Sequence, residues 1–478
     1  MAGVYISYPF CARKCTFCNF ASGVFARDLE ERYIDALCAE LARFGWQWIT
    51  ETVYIGGGTP SRMTAGALAR VLSLVPGRPW REATIEAAPG AITREQAGDW
   101  RAAGIDRVSL GVQSFVAREL AGTGRTHTAD GVASDVAALR AAGIANFNVD
   151  LIAGLPRQTA RGWEESLDWI ERLEAPHVSV YMLEVDEDSR LGAEMLRGGA
   201  RYGAAEAPCE EQVAAFYERA VERLERAGIR QYEISNFARP GCESLHNLKY
   251  WRLEPYAGFG ADAHSLLLKR ERDGAALSSC LRAGADAGGR PEGSLQAGGP
   301  PRETESSRGR ERARPPLAGP HAPADKLSAK AGSTPNLTPG RDREGAVGAP
   351  GCGALAAGHR PAAARSAAPH EGSVPRDRPA PQEPAIVTKA VRRQNPETVQ
   401  DYLAGAPPIE TPATPEERFF IGLRLREGVR LLEEDRARHA EAIARHTSLG
   451  LLEEHAGRLR LTRRGILLSN EVLQDFLP

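Results

Sequence analysis

The sequence predicts an α/β fold: a partial TIM-like barrel of about six βα units, followed by a small α+β module. Three observations carry this. Short apolar runs alternate with amphipathic helical stretches across residues 3–235, the pattern of repeated βαβ units with helices outside a parallel sheet. The runs are close to continuously apolar, as strands covered on both faces are. Polar residues and glycines gather at or just past the run ends, where such barrels carry their chemistry. No G-x-G-x-x-G follows the first run and no G-K-[ST] occurs, so a dinucleotide-binding or P-loop sheet is not indicated.

Residues 3–7 read as the first strand, followed by a loop holding three cysteines. Asp28 with Glu31 is a helix-start signature. Leu29, Tyr33, Leu37 and Leu41 then repeat at four, with Ile34 and Phe44 widening the stripe. Residues 52–55 form the second strand, ended by Gly56, Gly57 and Gly58, with a helix at 65–75. A strand at 83–88 precedes a helix begun by Thr93 and Gln96. Strands at 107–112, 147–152 and 177–183 alternate with helices at 130–142 and 159–173. Val213, Phe216, Tyr217, Ala220 and Leu224 mark a further helix, and 231–235 a last strand.

Residues 272–384 have another character, dominated by Gly, Ala, Pro, Arg, Ser and Glu, with no aromatic residue between Phe259 and Tyr402. Such a stretch buries too little apolar surface to offset its conformational entropy. It is expected to be a long disordered insertion, tolerable because loop-closure entropy grows only logarithmically with length. It lacks the aromatic platforms of a single-strand RNA binder. Beyond it, helices at 415–425 and 432–446, a hairpin within 451–461 around Ala456 and Gly457, and a final helix at 462–476 suggest a winged-helix-like domain. Its arginines are balanced by Glu433, Glu434, Glu453 and Glu454, which favours packing over DNA binding. The expected boundaries are 1–235 for the core barrel, 236–271 for a motif-bearing connection, 272–384 for the insertion and 385–478 for the C-terminal domain.

Lys and Arg number 60 against 62 Asp and Glu in 478 residues, a net charge of −2, so no overall field favours nucleic acid or an anionic membrane. Eight scattered cysteines do not make a disulfide scaffold. There is no charged region followed by an apolar leader. No apolar run approaches the roughly 18 residues of a membrane helix. The reading is a soluble, cytoplasmic protein without a transmembrane segment.

The chemistry centres on Cys11, Cys15 and Cys18, spaced C-x3-C-x2-C. Thiolates are the usual ligands of iron–sulfur clusters, and three of them leave one iron of a four-iron cluster open to a chelating molecule. A zinc knuckle or three unrelated thiols are the plain alternatives. Zinc wants four ligands, and neither Cys nor His follows Cys18 closely. Gly57 and Gly58, with Thr59, follow the second strand, where glycines let backbone approach a ligand and free their N–H groups for it. Glu86, Gln113 and Asp150 are polar residues in apolar strands, each as fit to partner a structural group as a ligand, but together on one rim they favour a ligand site. Arg125 has the fork geometry to hold a carboxylate. His246, in His246-Asn-Leu-Lys-Tyr-Trp251, has the aromatic neighbours to ligate a haem iron; its plain reading is a hydrogen-bonded loop histidine packed on Trp251. The Gly/His stretch at 258–265 reads as structural.

The cysteine spacing resembles the signature of the radical S-adenosylmethionine (SAM) superfamily. Over residues 3–271 and 386–478 the chain is similar to the HemW family of haem chaperones, in the oxygen-independent coproporphyrinogen III oxidase-like branch. That resemblance rests on residues 5–20, 54–61, 84–90, 104–115, 124–127, 148–159, 177–183, 246–251 and 461–477. It implies a [4Fe-4S] cluster on Cys11, Cys15 and Cys18. It implies a SAM site lined by Tyr5, Phe17, Gly57, Gly58, Thr59, Glu86, Gln113, Arg125 and Asp150. It makes His246, in the family's H-N-x-x-Y-W motif, the leading haem contact. It also implies handing haem to acceptor haemoproteins, membrane respiratory enzymes among them, with a homodimer as one assembly. The rival is the true oxidase, which carries a further cysteine where this chain has Phe20 and a longer stretch ahead of the cluster; here ten residues precede Cys11. A nucleic-acid-modifying relative would want a basic surface. Ala88 departs from the family's usual Asn.

Overall fold

The computed structural model describes residues 2–268, 390–414 and 416–477. Its centre is six parallel strands paired in chain order: β1 (Ala2–Tyr8), β2 (Thr50–Gly57), β3 (Glu82–Ala87), β4 (Arg107–Gln113), β5 (Asn146–Ala153) and β6 (His177–Met182). Between them run α1 (Arg27–Arg43), α2 (Ala65–Ser73), α3 (Arg94–Ala102), the short α4 (Ala117–Leu120), α5 (Ala129–Ala141) and α6 (Ala160–Arg172). Four of these helices begin alike. Thr64, Thr93, Thr128 and Thr159 each accept the backbone N–H three residues on, satisfying a donor that the helix leaves orphaned. Helix α1 departs from its expected cap: Ala26 precedes it without a side-chain bond, and Asp28 and Glu30 lie in its first turn, where the helix dipole favours them.

The strands are apolar on one face only. Val53, Ile55, Ile85, Val108, Leu110, Val149 and Val178 are fully buried in the main core. The intervening residues, among them Tyr54, Glu86, Arg107, Ser109, Asn148, Asp150 and Ser179, line a central cavity. The near-continuous hydrophobicity expected of buried strands therefore holds for the helix-facing side, and the period of two sends every second side chain into a polar interior.

The barrel stays open. After α7 (Arg190–Leu196) and α8 (Glu210–Arg226), the expected strand at 231–235 is replaced by β7 (Arg230–Gln231) and β8 (Asn236–Ala238), and β8 runs antiparallel to β6. On the other side, α9 (Leu245–Trp251) leads to β9 (Tyr256–Phe259), parallel to β1, and then to the antiparallel β10 (His264–Leu268) and β11 (Ala390–Gln394). The short α10 (Val399–Leu403) and β12 (Ile409–Pro412) complete a 12-stranded sheet with β12 and β7 at its edges. The Gly/His stretch at 258–265 is thus structural, supplying parts of β9 and β10.

The insertion expected at 272–384 lies outside the described residues. Its attachment is defined by the pairing of Leu268 with Ala390. Tyr256 is level with Gly3 at the start of β1, and Leu266 faces Tyr256. Leu268 therefore lies at the N-terminal end of the parallel strands, opposite the loops that follow them.

The C-terminal module contains α11 (Glu417–Gly422), β13 (Val429–Arg430), α12 (Glu433–Arg438), α13 (Ala440–Ser448), β14 (Leu452–His455), β15 (Arg458–Leu461), α14 (Arg463–Leu467) and α15 (Ser469–Gln474). Helices around a three-stranded sheet of order β13-β15-β14 give the expected winged-helix-like plan. The two long helices expected there are each broken in two, at His439 and Leu468. Ala456 and Gly457 both have positive φ, as a tight hairpin turn requires. The module packs on the barrel: Ile234 N–H donates to Arg424 O at 3.0 Å, Arg426 N–H donates to Tyr232 O at 3.0 Å, and the Arg424 guanidinium lies 4.6 Å from the Trp251 ring centre. No helix among the described residues is long and apolar enough to cross a membrane.

Candidate functional site

The loop after β1 carries the cysteines and is held on several sides. Cys11 N–H donates to Gly23 O at 2.8 Å and Gly23 N–H to Pro9 O at 2.9 Å. Thr16 N–H donates to Thr123 O, its hydroxyl to Gly122 O, and Leu191 N–H to Thr16 O. Just after β2, Gly58 N–H donates to Tyr8 O at 2.8 Å and Thr59 N–H to Phe10 O at 3.0 Å. A Cβ on Gly58 would sit 2.7 Å from Pro9 C and 2.9 Å from Phe10 N and O, so only glycine lets β2 come this close. The expectation that these amides are free for a ligand is corrected. Gly58 and Thr59 donate to the cysteine loop, and Gly57 N–H donates to Glu86 Oε2 at 3.1 Å. The glycines instead seat the loop that bears the thiols.

Cys11, Cys15 and Cys18 are unbridged, half-buried and all line the cavity. Burial pushes the Cys18 thiol up, and neighbouring Cys15 adds to this. Among the described residues, no three Cys, His, Asp or Glu side chains already stand at metal-ligating spacing, so a cluster would draw these thiols together. The donor set suits iron–sulfur ligation all the same: three free thiols on one pinned loop at a cavity mouth.

The cavity, of about 610 Å³, runs from the cysteine loop into the barrel. It brings together Phe17, Gly57, Gly58, Thr59, Glu86, Gln113, Arg125 and Asp150. Tyr5 does not line it: 1 % exposed, it packs behind Tyr54 with ring centres 6.3 Å apart. Glu86 accepts from the Tyr54 hydroxyl at 3.1 Å as well as from Gly57. Asp150 accepts from Asn148 Nδ2 at 2.7 Å, and burial, reinforced by Glu86, pushes its carboxyl up to about 6. Gln113 takes a positive φ of 70° at the end of β4, a strained backbone of the kind that clusters at functional sites. Its amide and the Arg125 guanidinium both reach the space beside Gly111, where a Cβ would lie 3.2 Å from each. Gln113 Oε1, Arg125 Nε and His127 Nε2 are buried without partners, and their residues line the cavity. Burial, with Arg125 adding, pushes His127 down to about 4. Such orphaned groups fit a polar ligand. At Ala88 the backbone N–H bonds Ser61 Oγ at 3.2 Å.

The motif histidine sits elsewhere. His246 is 0 % exposed. Its Nδ1 pairs with Thr52 Oγ1 and its Nε2 with Tyr250 OH, both at 2.8 Å, while its backbone N–H donates to Glu82. Gly3, Thr52 and Glu82 mark the starts of their strands, so His246 plugs the barrel base, and iron ligation would require its ring to leave both partners. Asn247 is the motif residue that lines the cavity, with Oδ1 buried and unpartnered. Sequence reasoning passed over Asn247, Arg107, Asn148, Ser179, Asn236 and Tyr181, all lining residues. For Arg107, Asn148, Ser179 and Tyr181 the signal was available: each is two residues from another polar position on the same strand.

A sequence model of the radical SAM superfamily matches residues 5–170, and one of the HemN C-terminal domain matches residues 412–468. With an open βα barrel and three cysteines on the first loop, the chain is a radical SAM protein. Curated relatives narrow the class. The haem chaperone HemW of Bacillus subtilis is 36% identical over 276 residues, 56% of this chain and 71% of the relative; that of Escherichia coli is 31% identical over 269 residues, 55% and 69%. The chain belongs to the HemW family. Among solved structures, the coproporphyrinogen III oxidase HemN from Escherichia coli matches with a TM-score of 0.63 over 99% of this chain and 89% of its own, at 16% identity, a likeness of fold.

Proposed function

We propose that the protein is a haem chaperone: it binds haem and transfers it to acceptor haemoproteins, and it carries a [4Fe-4S] cluster on Cys11, Cys15 and Cys18 with exchangeable SAM. The observation that carries this reading is the trio of free thiols pinned at the mouth of a polar-lined cavity, in a chain whose relatives are named haem chaperones. A bound cluster would supply an iron open to a chelating ligand and able to pass it an electron. Gln113 and Arg125 present unpartnered donors and acceptors toward the same space, Glu86 and Asp150 add carboxylates, and Phe17, Gly57, Gly58 and Thr59 shape the mouth. Tyr5 holds Tyr54, and through it Glu86, from behind. His246 serves haem by building the cavity floor, or directly if its ring is released. Balanced charge and the lack of a membrane helix among the described residues suit a cytoplasmic protein that meets membrane acceptors as partners.

The test is a haem titration of the anaerobically reconstituted protein, followed at the Soret band, then mixing with an apo-haemoprotein. Saturable binding near one to one, with the band moving to the acceptor, is expected. Absence of specific binding, together with turnover of coproporphyrinogen III in the presence of SAM, would replace this reading with the oxidase. Cys15→Ala should remove iron and sulfide from the reconstituted protein; normal contents would overturn the cluster assignment.

A further inference from the structure

The cavity holds a buried cation that no anion touches among the described residues: the Glu82 and Asp150 carboxylates act on it through space, and neither is bonded to it. Arg107 begins β4 and lines the cavity at 2 % exposure. Its Nε is buried without a partner, and no ion pair or hydrogen bond reaches its guanidinium among the described residues. That is costly, because a buried charge needs a partner. Around it the floor is already balanced. Asn148 Oδ1 takes bonds from His177 Nδ1 and Ser179 Oγ. Glu82 spends both oxygens on Ser244, Leu245 and His246. Asp150 is bonded by Asn148. Asn247, from the motif helix α9, brings a second unpartnered polar group to the same cavity. Arg125, the cation at the mouth, lies beside Gly111, four residues and so about 13 Å further along β4. A ligand gripped by Arg125 at the rim leaves Arg107 for another group.

We propose that Arg107 and Asn247 form a carboxylate-binding subsite on the cavity floor, which takes a propionate of the porphyrin cargo. Arg107 supplies the planar fork that binds a carboxylate in two-point fashion, and Asn247, lining the same cavity, donates from Nδ2 once its amide turns the unpartnered Oδ1 away. The H-N-x-x-Y-W motif then contributes in two ways. His246 fixes α9 to the barrel base through Thr52 and Glu82, and Asn247 meets the ligand. This rests on the haem-binding reading and adds to it which end of the molecule enters.

The test compares haem with haem dimethyl ester, which has the same ring and iron but no propionate charge. Each is titrated into the reconstituted full chain and into Arg107→Gln and Asn247→Asp. The wild type should prefer the diacid on the order of tenfold to a hundredfold, the worth of a charge-assisted hydrogen-bonded pair. Arg107→Gln should lower diacid affinity to about that of the ester and leave the ester unchanged. Asn247→Asp should weaken the diacid alone, by repulsion, and it keeps the test alive if the arginine variant does not fold. SAM affinity should be unaffected in both. Equal binding of diacid and ester by the wild type, or a preference that survives both substitutions, would overturn the subsite while leaving haem binding intact. An equal loss of SAM affinity would assign Arg107 to the SAM site instead. A wild type that binds neither porphyrin would overturn the chaperone reading itself.

Discussion

Asp150 offers the sharpest test of the idea that the barrel interior is built for a ligand rather than for stability. Its carboxyl titrates ordinarily near 3.8 and is pushed up to about 6, first by burial and then by Glu86. Between those values the unfolded chain has released a proton that the folded chain keeps, so the folded state binds more protons and stability falls as pH rises through that window. At 1.36 kcal/mol per pKa unit the loss is about 3 kcal/mol, complete above pH 6. Asp150→Asn removes the charge and with it the pH dependence due to this site. It also gives up part of the bonds from Asn148 and Ser109, a cost of about 1 kcal/mol that does not vary with pH. The measurement is denaturant unfolding of the cluster-free full chain, wild type and variant, at intervals from pH 4 to 7.5. Near pH 4 the wild type should be equal or slightly more stable. Toward pH 7 the variant should gain on it by about 3 kcal/mol. Glu82, Glu233 and Asp135 are also pushed up by burial, but they are present in both proteins and cancel in the difference. A difference that stays flat with pH, or grows in the opposite sense, would refute the claim that Asp150 is held charged at a stability cost. SAM binding by the variant should fall even as its stability rises, the trade expected of a functional site.

Gly58→Ala should lower stability by about 1–3 kcal/mol, since its Cβ meets the Pro9 and Phe10 backbone, and should reduce iron loading with it; normal loading in iron assays would show that the glycine does not seat the cysteine loop. Replacing residues 269–389 by a four-residue turn between Leu268 and Ala390, which are already paired, should preserve fold, cluster and haem binding, checked by circular dichroism and the Soret titration; an insoluble product would make the segment structural. His246→Ala leaves Thr52 and Tyr250 without partners and should cost about 2–4 kcal/mol in unfolding. If haem affinity vanishes while stability is untouched, the imidazole is a direct ligand after all.

The fold was legible because its elements obey local rules. Threonine caps three residues ahead of an amide, apolar stripes at helical spacing and glycine at strand ends each point to one structure. The cysteine loop was equally plain, because ligand spacing within a single loop needs no tertiary information. What escaped was set by distant partners. Whether Gly58 N–H faces a ligand or Tyr8 O depends on how closely β2 approaches β1, and no local pattern reports that. The fate of 231–235 depended on whether the barrel closes. Arg107 entered only as the first residue of the strand at 107–112, and the six-strand arrangement is what turns it into a lining residue of the cavity. His246 was read for the chemistry of its ring, but its two nitrogens are consumed by residues 194 positions earlier and four later.

The motif helix joins three parts of the molecule that the sequence keeps apart. Tyr250 bonds His246, the His246 ring lies 5.4 Å from Tyr54, and Tyr54 donates to Glu86, so one face of α9 supports a carboxylate of the upper cavity. Asn247 faces the floor. Trp251, on the far side, packs under Arg424 of the C-terminal module, which also sits beside the buried Glu233 that holds Asn236 at the cavity wall. Through Arg424 the C-terminal module thus meets two groups next to the cavity, Trp251 and Glu233. The insertion attaches at the same end of the barrel, beyond Leu268.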